Sequence, residues 1–162
     1  MRITPTNMTI APKTGSLFRI AALTHEDMLA SSLTLPLEIL TGAAQALGRT
    51  GRQRLSTDCF SKVGGPLTIQ SGLSLATTPL SELTQADLLI VPAIWRQPQR
   101  VVRRHPEQIA VIDQHVGAGG LTISVGSASF LLAETGRMTG RTMTTHWQWF
   151  DNFAHRYPGV QL

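Results

Sequence analysis

The segment Leu121-Thr-Ile-Ser-Val-Gly-Ser-Ala-Ser-Phe130 runs an apolar strand straight into a helix through small residues. Such a turn can raise a nucleophile above a sheet and aim the amides of a helix N-terminus at a substrate. Its strained backbone leaves room only for small residues two before and two after the apex. Ser124 and Ala128 meet that requirement around Gly126, whereas centring the turn on Ser127 puts Val125 at a small-residue position. The apex therefore carries no side chain. Glycine adopts the unusual backbone angles without steric cost. The geometry is expected to survive without a nucleophile, the amides of Ser127 and Ala128 remaining as an anion site. Ser127 acting as an off-register nucleophile is the alternative.

A second group of residues could meet a ligand. His146, between Thr145 and Trp147, carries an imidazole that can donate or accept; fixing its own loop is the competing role. Trp95 ends an apolar run, and aromatic faces are a common way to hold quaternary ammonium ions. Trp147, Trp149 and Phe150 follow later, and helix–sheet or dimer packing explains Trp149 and Phe150 at least as well. His25, with Glu26 and Asp27 beside it, opens the loop after the first apolar run; the two acids could face a cationic ligand or simply water. Glu38 and Glu134 lie on helical patterns with no partner evident. Cys59 sits mid-strand as a small hydrophobe. A single cysteine excludes an internal disulfide and a Cys-based zinc site, and neither metal nor cofactor is expected.

The elements that must position these groups alternate between strand and helix. Leu17–Leu23 is a buried-strand pattern, followed by a helix from about Ser32 to Leu47 whose regular part should begin at Pro36. Leu55–Val63 reads as a second strand, and residues 65–75 as a small hairpin outside the main sheet. A capping segment over 79–85 leads to a buried strand over 87–95 that Pro92 ends. Pro106–Val116 is an amphipathic helix with proline at its first position. The elbow strand and a helix over 128–135 come next. After a loop or short strand over 139–145 comes a helix over 147–156, and Val160–Leu162 resembles the start of another strand. This alternation predicts an α/β fold, a doubly wound and mainly parallel sheet with helices on both faces and its site beyond the carboxyl ends of the strands.

Composition agrees. The chain has 162 residues, 42% hydrophobic and 15% charged, which suits one globular domain over 17–162 behind a flexible polar lead over 1–16. No apolar run is long enough to cross a bilayer and the lead lacks a signal peptide's apolar stretch, so a cytoplasmic location is expected. The net charge of +4 comes mostly from arginine, clustered at 49–54 and 96–105. Neither cluster has interleaved aromatics or a recognition-helix pattern, so each reads as a loop or solvated helix face.

The run from Val125 to Trp147, with Phe130-Leu-Leu-Ala-Glu-Thr-Gly136, Thr139-Gly-Arg141 and Thr144-Thr-His-Trp147, resembles the N-terminal sensor domain of AraC-family transcription regulators. The subgroup is the one whose sensor has the DJ-1/PfpI (class I glutamine amidotransferase-like, flavodoxin-like) fold. Ala30–Glu38, Ser71-Gly-Leu73, Ala86–Pro92 and His155–Gly159 carry further similarity, so the resemblance spans roughly residues 18–162. Enzymes of the wider superfamily pair an elbow cysteine with an acid four before the proline of the first helix. The matching positions here are Gly126 and Ser32, and both departures remove chemistry. The resemblance implies a small-molecule effector, such as an amino acid or quaternary ammonium metabolite, and a homodimer. It also implies DNA binding through a helix-turn-helix domain after the sensor, absent from this sequence, and the strand start at Val160–Leu162 leads to the expectation that the sensor fold is incomplete at its C-terminal end.

Two readings follow. The first is a catalytically inactive effector-binding domain with candidate ligand residues Gly126, Ser127, Ala128, His146, Trp95, Ser32 and His25. The second is a small DJ-1/PfpI-like hydrolase or amidotransferase-like enzyme acting through Ser127, His146 or Cys59. An assembly module with a filled elbow is a third.

Overall fold

Alternate residues of the central strands part to opposite sides of one sheet. Ala21 and Leu23 of β1 (Leu17–Leu23) and Leu89 and Val91 of β5 (Leu88–Val91) join one apolar core. Ile20, Ala22, Leu88 and Ile90 join a second core on the other face. Strands buried on both faces must read as continuous apolar runs, as these do. The structure, a computed structural model, describes residues 17–48 and 54–162. The expected lead over 1–16 and all of the first basic cluster except Arg54 lie outside the described residues.

The sheet has six strands in the order β3-β4-β2-β1-β5-β6. β2 (Arg54–Ser61), β1, β5 and β6 (Leu121–Ser124) are parallel neighbours. Strand order reverses between β1 and β5, the switch point where open α/β sheets place their ligands. Helix α1 (Ala30–Gly48) covers one face together with Leu67 and Ile69 of the hairpin region. The other face carries α2 (Pro98–Arg104), α3 (Pro106–Gly117), α4 (Ser129–Glu134) and α5 (Phe150–Arg156). Phe130 and Phe153 meet edge to face there, with ring centroids 5.0 Å apart, and neither is exposed. This is the doubly wound α/β fold expected.

Three local expectations are corrected. The hairpin of β3 (Gly65–Thr68) and β4 (Ser74–Pro79) is not outside the sheet. β4 runs on beyond the hairpin pairing and lies parallel to β2 through Phe60–Thr78 and Ser61–Pro79, with the Ser61 and Thr77 hydroxyls 2.6 Å apart. Helix α1 begins at Ala30 rather than at Ser32 or Pro36, so Pro36 lies inside it. Its start is held from outside: the Leu29 N–H donates to the Ala93 carbonyl at 2.9 Å, and the Ser32 hydroxyl to the Leu29 carbonyl at 2.6 Å. Finally, the strand expected from Val160 amounts to an isolated parallel bridge between Thr142 and Gln161. Among the described residues, no helix is long and apolar enough to cross a membrane.

The candidate functional site at the elbow

Gly126 has φ +52°, in the left-handed region that favours glycine, and both its neighbours keep negative φ or ordinary geometry. That identifies Gly126, not Ser127, as the apex, as the small-residue spacing indicates. A Cβ built there would meet only the Ala93 methyl, at 3.8 Å, so space for a side chain exists.

The two serines nearest the expected chemistry are both committed to backbone. The Ser127 hydroxyl donates to the Ile94 carbonyl at 2.7 Å and accepts from the Ile94 N–H at 2.9 Å, with Ser127 only 3% exposed. Ser32, at the position matching the superfamily acid, accepts from the Ala93 N–H at 2.8 Å while donating to Leu29. The loop 93–95 after β5 is also stitched to the start of α1 by the Met28–Ile94 bridge and by the Trp95 N–H donating to Asp27 at 2.7 Å. One stretch of backbone is thus gripped from both sides. A serine nucleophile needs a base on its hydroxyl. Among the described residues, Ser127 has none.

A cavity of about 510 Å³ opens over this elbow at the carboxyl ends of β5 and β6. Four of the expected residues line it: Gly126, Ser127, His146 and Trp95. Leu29, Arg96, Gln97, Gln148 and Trp149 complete much of the wall. Ser32, Ala128 and His25 are not among the lining residues. Ser32 is buried behind Ala93, and the Ala128 N–H, expected to be free, donates to the Val125 carbonyl at 3.0 Å. His25 lies on a different cavity.

His146 is exposed, and its Nδ1 accepts from the Gln148 N–H at 3.3 Å, capping the short 3-10 turn Trp147–Trp149. It therefore fixes the loop while still lining the cavity. The Ser129 hydroxyl, one turn past the apex, donates to Thr145 at 2.8 Å and ties this loop to the elbow. Trp95 is 47% exposed, with the Arg96 guanidinium 5.6 Å from its ring centroid. Arg96 escaped the sequence reading because it fell within a basic cluster; its place directly after Trp95 at a strand end was the available signal.

The acids and the cysteine weighed in the sequence do not line this cavity. Glu26 and Asp27 face Arg104, at 2.8 and 3.4 Å, instead of the elbow. Glu134, without an evident partner in the sequence, pairs with Arg156 at 3.0 Å and accepts from the Tyr157 hydroxyl at 2.6 Å. Burial first, and that bond to Glu134 second, push the Tyr157 phenol well above its usual range. Cys59 is half-buried in β2, and burial followed by the neighbouring Asp58 pushes its thiol up. A raised pKa keeps a thiol protonated and inert. No group of three or more metal-ligating side chains is arranged to hold a metal among the described residues.

Comparison with known proteins agrees with this architecture. No family model matches the chain. A stretch of 105 residues, 64% of the chain, is 31% identical to the HTH-type transcriptional regulator CdhR of Pseudomonas aeruginosa. The match spans 30% of that regulator's length, so the chain corresponds to about a third of it. The solved AraC family transcriptional regulator from Pseudomonas putida superposes with a TM-score of 0.72 at 20% identity, covering 89% of this chain and 75% of that one. The ThiJ/PfpI domain protein from Brachyspira murdochii superposes with a TM-score of 0.66 at 11% identity, covering 92% and 80%. The fold is that of the DJ-1/PfpI proteins, and its sequence is similar to part of a transcription regulator.

Proposed function

We propose that the chain is the effector-binding domain of an AraC-type transcription regulator, a catalytically inactive DJ-1/PfpI-like sensor. The observation that carries this is the elbow itself. A cavity of about 510 Å³ sits where an enzyme of this fold would do chemistry, yet its apex is Gly126 and the acid position is Ser32. The polar atoms that remain hold the cavity's shape.

The lining suits a small zwitterion. Arg96 supplies a cation for a carboxylate, and Trp95 and Trp149 offer aromatic faces for an ammonium head. An amino acid or a quaternary ammonium carboxylate, such as betaine or carnitine, has both parts. Binding would be read out through a homodimer and a helix-turn-helix domain outside residues 17–162.

Thermal shifts against amino acids, betaine and carnitine test the reading. A ligand at a hundredfold its dissociation constant stabilises the folded state by about 2.7 kcal/mol. The shift should disappear in Trp95→Ala. If no compound in the panel moves the melting point, or if a serine-directed probe labels Ser127, the sensor reading is wrong.

A further inference from the structure

The carboxyl edge of the sheet carries a second cavity, of about 310 Å³, at the ends of β1 and β2. Into it project His25 and His105, only 1% and 5% exposed, with ring centroids 5.2 Å apart. None of their four ring nitrogens has a hydrogen-bond partner. The nearest carboxylate oxygens are out of line or reach: Glu107 lies 3.4 Å from His105 Nδ1, and Glu26 lies 3.9 Å from Nε2. A buried polar group left without a partner is costly, so folded proteins seldom keep several side by side.

The surrounding charges say what kind of group would satisfy them. Lys62 and Arg104 line the cavity, and Glu26 is its lining acid. Glu26 and Asp27 are bound to Arg104, and Glu107 lies 3.5 Å from Lys62. Among the residues that line the cavity the cations Lys62 and Arg104 stand against the single acid Glu26, and burial first, then the charges of His105 and Arg104, hold the His25 pKa at about 3. Unspent imidazole N–H groups beside two cationic side chains complement a compact anion. Ser61 and Thr24 do not compete for it, because their hydroxyls already bond Thr77 and the Phe60 carbonyl.

We propose that this cavity is a second ligand site, separate from the elbow, which takes the carboxylate or phosphate group of a small metabolite between His25 and His105, with Lys62 and Arg104 at its mouth. An anion there draws a proton onto His25, so binding tightens as pH falls. The site stands or falls independently of the elbow cavity, which shares none of these residues.

Sulfate and acetate are suitable probes, since neither changes charge between pH ~6 and ~7.5. Ring 1H–15N spectra of the histidines are followed during titration with each salt, against sodium chloride at equal ionic strength. Saturable shifts of the His25 and His105 rings, several-fold tighter at the lower pH and without movement of the Trp95 indole, are expected. Saturation by sulfate alone identifies a phosphate-type group, and saturation by acetate identifies a carboxylate. Lys62→Gln, at a side chain 60% exposed and so safe for folding, should weaken binding about tenfold. The absence of saturable shifts with both salts overturns the proposal. So does unchanged affinity in Lys62→Gln.

Discussion

Ser127 shows why residue type alone misleads at this site. Its hydroxyl stands next to the apex, yet both of its hydrogen bonds go to Ile94, which is itself 2% exposed. Ser127→Ala would leave the Ile94 N–H and carbonyl buried without partners, at a cost of about 1–3 kcal/mol. Denaturant melts should register that loss in full, whereas a surface serine would register almost none. A second residue-scale consequence concerns pH. His25 takes up a proton near pH 6.5 when unfolded but only near 3 when folded. The unfolded chain therefore binds the extra proton throughout that window. Stability is complete above pH 6.5 and falls as pH is lowered, by up to about 1.4 kcal/mol per unit from this group. Melts in chloride buffers between pH 7 and 4 should show the slope, and His25→Asn should flatten it; an unaltered slope would mean another group is responsible.

At the scale of elements, helix α1 carries an internal conflict. Pro36 falls at its seventh residue, where the missing N–H leaves the Ser32 carbonyl without its helical donor. The helix persists because its first turn is pinned by the Leu29–Ala93 and Ser32–Ala93 bonds rather than by its own ladder. Reading start signals from local sequence placed the helix start too late, since those anchors come from a loop after β5. Pro36→Ala restores the donor and should raise stability by about 1–3 kcal/mol, checked by the melting point. An unchanged melting point would mean that the proline is accommodated without cost. The hairpin misreading has a similar origin. Gly65–Thr68 and Ser74–Pro79 announce a hairpin locally, but the pairing of β4 with β2 depends on which strand edge is open, which no local pattern encodes.

For the whole molecule, legibility followed the range of the interaction. The continuous apolar runs of β1 and β5 and the small-residue spacing around Gly126 were readable because each is contiguous in sequence. The His25–His105 pair was not, because it depends on how loops at the sheet's carboxyl edge fall together. His25 was singled out for the elbow and belongs to the neighbouring cavity.

The grip of Ser32 and Ser127 on residues 93–94 has a meaning for descent. In the superfamily's enzymes the matching positions hold an acid and a thiol, and a lineage returning to chemistry would need both. A thiol at Gly126 alone inherits a backbone angle unkind to any side chain, and a carboxylate at Ser32 alone enters a position 7% exposed, in place of a hydroxyl already in use. Either change alone strains the fold and supplies only one of the two groups. On the sensor reading proposed above, this geometry works as a ratchet against regaining chemistry, since Ser32 and Ser127 hold the loop that lines the elbow cavity.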